Sequence, residues 1–361
     1  MTEAYDVVVV GGGPAGLTAA LYATRLGQDT AVIDRGGGRA AMMKDTHNVV
    51  GVTEEVSGVE FLQTAVEQVQ SYGGDVHREF VSAIEPVEES EDDSGRARAS
   101  DDPRFRLETE ESAYEARRVV LATGFSDVKP EPPLPPTGRG LHWCLHCDAY
   151  MFVDEPVFVM GTGDSAAYVA MIMLNFTDEV DLLTRGADPE WSEDTATMLE
   201  NHPVDVVEED LASVSRDENG WLESFTFTDG TTREYRGGFP MYGSNYNTDL
   251  AEGLGCELTD DGTIDVDDHG RTSVDGVYAV GDVTPGHNQI PVAMGQGAKA
   301  GIDIHMDLRS FPRSVADIET LGPVDESEVP AVSRELLATA VAHHGHAAGP
   351  RGETDPAAGD D

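Results

Sequence analysis

Apolar residues along the chain alternate between short continuous runs and stretches with helical spacing. Tyr5 to Val10 is a continuous apolar run, which is typical of a strand buried on both faces of a sheet. Residues 17–26 then carry apolar side chains at helical intervals, and Thr30 to Ile33 forms a second short apolar run. This order predicts a strand, a helix and a second strand at the start of an α/β fold.

The same pattern predicts further elements along most of the chain. It predicts strands at 76–84, 105–108, 118–122, 156–160, 180–184 and 276–282, and helices at 59–72, 167–176 and 295–308. Residues 204–227 read as a β-rich segment with a turn at 217–220. A proline-rich connector at 129–136 cannot be helical and predicts a domain boundary.

A glycine motif lies between the first predicted strand and the first predicted helix. Gly11, Gly13 and Gly16 form G-x-G-x-x-G, and Asp34 ends the next strand. In such a motif the first glycine makes the tight turn, the second lets a pyrophosphate approach the backbone, and the third packs the helix on the strand. Asp34 is placed to accept a hydrogen bond from a ribose hydroxyl. The spacing therefore predicts a dinucleotide site.

A second glycine loop follows the strand predicted at 156–160. Gly161, Gly163 and Ala166 form G-x-G-x-x-A ahead of another apolar helix. The fold predicted is α/β, with two Rossmann-like dinucleotide-binding domains, the second inserted into the first, and a β-rich extension on each. The predicted bounds are 1–138 and 246–310 for the outer domain, 139–245 for the inserted domain and 311–361 for an acidic, partly disordered tail.

The net charge of the chain is strongly negative and indicates the kind of solution in which the protein works. It carries 23 Lys and Arg against 68 Asp and Glu, for a formal charge of −45. Such a charge repels nucleic acid and strains the compact state in dilute buffer, whereas molar salt screens most of the repulsion. We therefore expect a halophilic protein of a salt-rich cytoplasm. No run approaches the roughly 18 apolar residues of a membrane helix, so we expect no membrane association.

Two of the three cysteines form a C-x-x-C pair directly ahead of an acidic residue. Cys144 and Cys147 are followed by Asp148, and the third cysteine is Cys256. Three cysteines make no disulfide framework, and four-ligand zinc needs more partners, so we expect no metal site. In a reducing compartment such a pair is more often catalytic than structural. Asp148 can supply or take the proton that thiol–disulfide exchange requires.

The order of these motifs resembles the low-molecular-weight thioredoxin reductases, flavoproteins of the pyridine nucleotide-disulfide oxidoreductase class. The shared parts are the first glycine motif, Ala122-Thr123-Gly124, the C-x-x-C-D motif, the second glycine motif and the late Gly281-Asp282. The resemblance covers residues 5–308. Its specific element is the placement of C-x-x-C-D between two dinucleotide motifs.

The resemblance implies FAD on the outer domain and a thioredoxin-like protein, or a small disulfide, as electron acceptor. The residues implied to bind dinucleotide are Gly11, Gly13, Gly16, Asp34, Gly38, Asn48, Gly124, Gly161, Gly163, Ala166, Gly281, Asp282 and Gln289. It further implies that Cys147 lies nearest the flavin, that Cys144 attacks the partner disulfide and that Asp148 is the acid/base. A homodimer is implied as well.

The second nucleotide site departs from the family pattern. The family carries H-R-R-x-x-x-R after the second strand of this domain, and the matching residues here are Thr184 to Glu190. Arg185 is the arginine that survives, and Glu190 faces the position of a 2′-phosphate. We therefore expect NADH to be favoured over NADPH. Reduced ferredoxin also stays open as the donor, because relatives that use it lose the same arginines.

Three functions remain open alongside a thioredoxin-reductase-like disulfide reductase. They are a ferredoxin-linked thioredoxin reductase, a small-molecule dithiol oxidase that uses oxygen, and a non-enzymatic flavin or nucleotide redox sensor. The segment Cys144-Leu145-His146-Cys147 resembles the oxidases somewhat. Asp148 favours the reductase, because the oxidases tend to have histidine at that position.

Overall fold

A computed structural model describes residues 2–87, 104–131, 134–135, 137–329 and 338–340. Much of the predicted tail and most of the segment between the strands at 76–84 and 105–108 lie outside these residues. The described chain falls into two compact units. The first unit comprises Met1–Ala41, Val59–Gly124 and Tyr246–Asp361, and the second comprises Met42–Gly58 and Phe125–Asn245.

The first unit begins with a strand and helix pair of the predicted kind. Its elements up to residue 124 are β1 (Thr2–Val10), α1 (Pro14–Arg25), β2 (Thr30–Ile33), α2 (Gly58–Ser71), β3 (Asp75–His77), β4 (Ala83–Pro86), β5 (Phe105–Glu108) and β6 (Ala113–Leu121). Val7, Val8 and Val9 are each 0% exposed, as expected for a strand covered on both faces.

The second unit contains a parallel sheet, an antiparallel sheet and a two-stranded ladder. Its elements are β7 (Phe125–Asp127), α3 (Leu145–Asp148), β8 (Val157–Met160), α4 (Asp164–Met173), β9 (Val180–Leu183), α5 (Glu193–Glu200), β10 (Asp205–Val207), β11 (Leu211–Arg216), β12 (Leu222–Phe227), β13 (Thr232–Glu234), β14 (Gly237–Pro240) and β15 (Ser244–Tyr246). The order β10-β9-β8-β14 forms a parallel sheet, and β11-β12-β13 forms an antiparallel one. The pair β15-β7 forms a further two-stranded ladder.

The chain then completes the first unit. The remaining elements are α6 (Asp249–Leu254), β16 (Val277–Ala279), α7 (Ile290–Leu308) and α8 (Val315–Leu321). The sheet of the first unit has the order β3-β2-β1-β6-β5-β4, and β16 pairs with β6 in parallel. The β4-β5 hairpin adds to β6 in antiparallel fashion and forms the β-rich extension.

Strand register brings the ends of four parallel strands to one edge of this sheet. Val10 is paired with Ile33 and with Leu121, and Leu121 is paired with Ala279. Gly11, Asp34, Ala122 and Gly281 therefore follow these strands at the same edge. Ligands of open α/β sheets bind at this carboxyl edge.

Helices α1 and α7 pack closely because glycines line their contact. A Cβ at Gly297 would lie 2.2 Å from the carbonyl oxygen of Ala15, and one at Gly301 would lie 2.7 Å from Cβ of Tyr22. Only glycine permits this approach of two backbones. The result is a helix pair fixed directly beside the first glycine loop.

The predicted fold is confirmed, since each unit has a parallel sheet with helices and an antiparallel extension. Two of the predicted elements differ from the structure in an informative way. The strand predicted at 76–84 is two strands, because β3 pairs with β2 and β4 pairs with β5 on the other side of the sheet. The helix predicted from Gly295 begins at Ile290, because Pro291 occupies the first turn, where proline needs no hydrogen-bonded N–H. Helices α3, α5, α6 and α8 were not predicted, and α8 lies in the segment predicted to be a partly disordered tail.

Candidate active site

The first glycine loop makes a tight turn from β1 into α1. Gly11 has φ +110°, and a Cβ there would lie 2.3 Å from the carbonyl oxygen of Ala122. A Cβ at Gly16 would lie 2.1 Å from the carbonyl oxygen of Gly11. Gly13, the residue that precedes α1, differs, because no described heavy atom beyond its neighbours in the chain lies within 4 Å of where its Cβ would be. The loop is thus packed on one side and open at Gly13.

Asp34 is fixed beside this loop by backbone amides. Its Oδ1 accepts from the Gly12 amide at 3.0 Å, and its Oδ2 accepts from the Gly36 amide at 2.9 Å. Arg78 Nη1 also donates to Oδ2 at 3.1 Å, and the Asp34 side chain keeps 23% of its exposure. The orientation of the carboxylate is therefore fixed, and the carboxylate remains accessible to a ribose hydroxyl.

The later segment of the first unit supplies the other half of this edge. Gly281, with φ +78°, lies against the start of α1, where its Cβ would be 2.8 Å from Cβ of Ala15. Asp282 follows and is half-buried. Gln289 is the residue that precedes the first turn of α7. Predicted residues from the two ends of the chain are thus brought to one edge of the sheet.

Gln296 is a residue of this edge that the sequence did not single out. Its Oε1 accepts from the Gly281 amide at 2.9 Å, and its Nε2 donates to Thr284 Oγ1 at 3.2 Å. These bonds fasten the turn after β16 to α7. A glutamine inside a helix gives no sequence signal for such a role.

The remaining predicted residues of this group lie on loops. Gly38 is exposed and has φ +86°. Gly124 accepts through its carbonyl from the amide of Asn247 at 3.0 Å, and Thr123 Oγ1 donates to the carbonyl of Asn247 at 2.8 Å. Asn48 is exposed and belongs to the second unit.

The residues at the edge of the first sheet fit FAD. The observation that tests the fit is the open position at Gly13, at the start of a 12-residue helix with no side-chain cap among the described residues. Helix N-terminal amides bind phosphate groups, and the missing side chain lets a pyrophosphate approach. Gly11, Gly13 and Gly16 would hold the pyrophosphate, and Asp34 would hold the ribose.

The second glycine loop repeats the geometry of the first. A Cβ at Gly161, where φ is +146°, would lie 2.8 Å from the carbonyl oxygen of Met241 and 2.9 Å from Cβ of Ala166. No described heavy atom lies within 4 Å of the Cβ position at Gly163, which precedes α4. The loop is therefore shaped for a dinucleotide.

The charges around the second loop are acidic. The Asp164 carboxylate lies in the first turn of α4, and its Oδ1 accepts from the Ser192 amide at 2.8 Å and from its hydroxyl at 3.1 Å. Hydrogen bonds from Thr195 and Ser192 lower the pKa of Asp164. Glu190 is exposed, and its amide donates to the carbonyl of Thr162 at 2.8 Å. The segment after β9 is thus fastened onto the glycine loop with its carboxylates exposed.

Arg185, the one arginine of the expected phosphate clamp, is already engaged. Its Nε donates to Asp210 Oδ1 at 3.2 Å, and its side chain is 9% exposed. Its backbone has φ +56°, an uncommon conformation for a non-glycine residue. The guanidinium is therefore paired and buried rather than presented at the surface.

The two cysteines of C-x-x-C are joined by a disulfide. Cys144 and Cys147 flank the start of α3, with their Cα atoms 5.3 Å apart, and both are half-buried. The amide of Cys147 donates to Sγ of Cys144 at 3.1 Å. An N–H donor directed at a sulfur stabilises negative charge on that sulfur, so the geometry favours a thiolate at Cys144 after reduction.

Asp148 ends α3 and is held at both its backbone and its side chain. Its amide donates to the carbonyl of Cys144 at 3.1 Å, and its Oδ2 lies 2.9 Å from Nδ1 of His142. The sequence prediction included Asp148 but missed His142. No motif marks this pair, because the two residues lie on opposite sides of the cysteines and meet only through the turn of α3.

Membrane-spanning helices and metal-binding clusters are both absent from the described residues. None of their helices has the length and apolar character that crossing a membrane requires. They also contain no group of three or more histidine, cysteine and acidic side chains arranged to hold a metal ion.

Known proteins are similar to this chain in both sequence and fold. Residues 5–297 match the family model described as pyridine nucleotide-disulphide oxidoreductase. The thioredoxin reductase of Treponema pallidum (strain Nichols) is 30% identical, with 83% of this chain and 96% of that protein covered. The thioredoxin reductase of Peptoclostridium litorale is 28% identical over 84% of this chain and 96% of its own length.

A solved structure agrees with these relatives. The crystal structure of thioredoxin reductase from Streptococcus pyogenes MGAS5005 matches with a TM-score of 0.75 at 28% identity, covering 86% of this chain and 100% of that one. The resemblance predicted from the motifs is confirmed. The chain belongs to the pyridine nucleotide-disulphide oxidoreductase family and is an oxidoreductase of the low-molecular-weight thioredoxin reductase type.

Proposed function

We propose that this enzyme reduces the disulfide of a thioredoxin-like protein through the Cys144–Cys147 pair. The observation that carries the proposal is the disulfide at the start of α3, with Asp148 tied to its first cysteine through the backbone. FAD, when bound, supplies the two electrons that open this disulfide. The residues proposed to hold FAD are Gly11, Gly13, Gly16, Asp34, Gly38, Asn48, Gly124, Gly281, Asp282 and Gln289.

The exchange itself is carried by residues of this chain. The Cys144 thiolate attacks the partner disulfide, so that a mixed disulfide forms and one partner thiolate departs. Asp148 gives its proton to that thiolate. Asp148, now a carboxylate, takes the proton of the Cys147 thiol. The resulting thiolate attacks Sγ of Cys144, which reforms the enzyme disulfide and releases the second partner thiolate, and Asp148 passes the proton to that thiolate. The enzyme dithiol is oxidised, and the partner disulfide is reduced to a dithiol.

Single cysteine variants test the two roles. Cys147→Ser should stop turnover and accumulate a mixed disulfide with a thioredoxin, because the resolving thiol is missing. Cys144→Ser should stop turnover without accumulating that species, because the attacking thiol is missing. Non-reducing electrophoresis and mass spectrometry of the anaerobically reduced variants measure the adduct, and Cys256→Ser is the control that should leave both turnover and adduct unchanged. An adduct in Cys144→Ser alone would reverse the assignment.

The same assays separate the reductase from the other functions. Oxygen consumption with a small dithiol, and no reduction of a protein disulfide, would identify a dithiol oxidase. Binding of FAD with neither activity would identify a redox sensor. We further propose a homodimer of the cytoplasm.

We propose NADH as the preferred nucleotide donor over NADPH. The support is the second glycine loop, where Gly161, Gly163 and Ala166 fit a dinucleotide, and the state of the expected phosphate clamp. Arg185 is engaged with Asp210, and Glu190 stands exposed where the family has arginine. Compared with the family pattern, two charge-assisted bonds from arginine to the 2′-phosphate are lost and a repulsive carboxylate is added. This change should weaken NADPH binding by at least about a hundredfold.

Anaerobic stopped-flow reduction of the flavin tests the donor. NADH, NADPH and reduced ferredoxin are compared, and Glu190→Arg should improve NADPH by about tenfold or more by supplying one charge-assisted bond. Glu193→Arg, the same charge change in the first turn of α5, is the matched control and should improve it less. Equal reduction by NADPH and NADH at equal concentrations would contradict the preference. Reduction by ferredoxin alone would assign the donor to that protein instead.

A further inference from the structure

His142 is a buried histidine whose side chain contacts the proposed acid of the exchange. It is 4% exposed, and its Nδ1 lies 2.9 Å from Oδ2 of Asp148. Its position, two residues ahead of Cys144, places it on the other side of the cysteine pair from Asp148. The proposed mechanism above gives His142 no role.

The imidazole is held in a single orientation by its surroundings. Its ring meets the ring of Phe152 edge to face, with centroids 5.1 Å apart and an interplanar angle of 90°. Phe239 lies on another side, with centroids 6.1 Å apart. The backbone amide of His142 donates to the carbonyl of Gly238 in β14 at 2.9 Å. Packing and backbone thus fix where Nδ1 points.

The direction of the hydrogen bond follows from its partner. A carboxylate oxygen only accepts, so Nδ1 carries the hydrogen and donates to Oδ2. Oδ2 of the carboxylate is therefore engaged by His142, and Oδ1 is the oxygen left to take up the exchangeable proton. When Asp148 gives up that proton, the carboxylate that results already has a donor in place.

We propose that His142 is a positioning residue for thiol–disulfide exchange, which holds the Asp148 carboxyl in line with the cysteine pair. This inference rests on the acid role proposed for Asp148. Asp148 is tied to Cys144 through its amide and to His142 through its side chain. With both ends fixed, the carboxyl keeps one position relative to the turn that carries the cysteines, and such fixed geometry is worth orders of magnitude in rate.

Two variants of His142 separate hydrogen bonding from packing. His142→Phe keeps an aromatic ring among Phe152 and Phe239 but removes the donor, and it should lower kcat for protein disulfide reduction by about 10- to 100-fold. KM for the partner should stay within about threefold, because the partner is not bound by a buried ring. His142→Asn keeps an N–H donor and should restore most of kcat. A purely structural role for the ring predicts the opposite order of the two variants.

Coupling to Asp148 is the second measurement. Asp148→Asn should lower kcat. Adding His142→Phe to that variant should lower kcat by no more than about a further twofold, because the hydrogen bond it removes no longer positions an acid. Full additivity would overturn the inference. The rate at which the donor reduces the flavin should be the same in all these variants, which confines the effect to the exchange step.

The outcomes distinguish this inference from the proposed function. A His142→Phe enzyme that turns over like the parent while Asp148→Asn is impaired overturns the role of His142 and leaves the function standing. An Asp148→Asn enzyme as active as the parent overturns both the acid role and the inference. Should His142→Phe fail to fold, His142→Met, which is apolar and flexible, takes its place in the same comparisons.

Discussion

Gly13 and Gly16 are three residues apart, on either side of the start of α1, and an added methyl group would meet opposite surroundings at each. At Gly16 it would lie 2.1 Å from a backbone oxygen, whereas at Gly13 it would have no described heavy atom within 4 Å apart from its neighbours in the chain. The backbone of Gly13, with φ −78° and ψ 178°, is one that alanine adopts readily. This contrast supports the proposal that Gly13 serves the ligand, whereas Gly16 serves the fold.

This contrast predicts different losses for the two alanine variants. Gly13→Ala should leave the stability of the apoprotein within about 0.5 kcal/mol and weaken FAD binding at least about tenfold, since the methyl occupies the approach of the pyrophosphate. Gly16→Ala should destabilise the apoprotein by about 1–3 kcal/mol, because a backbone must move. Urea unfolding and flavin titration measure the two quantities. Unchanged FAD affinity in Gly13→Ala would contradict the proposed site.

Sequence reasoning at this scale finds residues whose chemistry is local in the chain. Gly11 to Gly16 and Cys144 to Asp148 each act within one turn, so spacing alone identifies them. His142 and Gln296 act through hydrogen bonds that exist only after a turn or a helix has folded back. Neither belongs to a repeating pattern, which is why only the structure could point to them.

Among elements, the close contact of α1 and α7 decides how the first glycine loop is supported. Gly297 and Gly301 let α7 approach the backbone of Ala15 and Ala19, the residues just after the loop. Gly295 lies on the same helix but is exposed, and no described heavy atom is within 4 Å of its Cβ position. The helix therefore carries one kind of glycine on its packed face and another on its open face.

We expect alanine to act in opposite directions on these two faces. Gly297→Ala should lower the free energy of unfolding by about 1–3 kcal/mol through overpacking. Gly295→Ala should raise it by about 0.5–1 kcal/mol, because alanine restricts the unfolded chain and favours helix. Thermal and urea unfolding of both apoproteins measure the difference. A stabilising effect of Gly297→Ala would show that the two helices do not pack as described.

Helices and strands were predicted where apolar residues form a continuous run or recur on one face of an element. Elements too short to show such a pattern were missed. The long apolar runs of β1 and β8 and the stripe of α4 were read directly. The two strands between 75 and 86 share one extended pattern, and periodicity does not reveal which neighbour each strand pairs with. Helix α6 has six residues, too few to establish a period.

For the whole molecule, net charge is the dominant feature. A charge of −45 on 361 residues leaves many carboxylates without a cationic partner, since only 23 residues are Lys or Arg. Those cations are used in fixed pairs in places, as where Arg233 bridges Asp181 at 2.8 Å and Asp205 at 2.6 Å. The remaining repulsion acts over a distance that salt controls.

We therefore predict that stability depends on ionic strength. The Tm should climb steeply between about 0.1 M and 3 M KCl, as the Debye length falls from about 10 Å to 3 Å or less. A non-electrolyte that lowers water activity equally is the control, and it should raise Tm less. A Tm that is the same at both KCl concentrations would contradict the halophilic proposal.

The hydrogen bonds between Thr123, Gly124 and Asn247 join two distant parts of the chain, and the entropic cost of joining them depends on the length between them. They close a loop of roughly 120 residues, whose closure costs only about 2 kcal/mol more than that of a loop of roughly 10 residues, because the entropy lost grows with the logarithm of length. The entropic cost of pairing β16 with β6 therefore depends only weakly on the length of the chain between them. Lengthening or shortening the inserted segment should therefore change the free energy of closing the first sheet very little. The length of the insertion can thus vary without loss of that sheet.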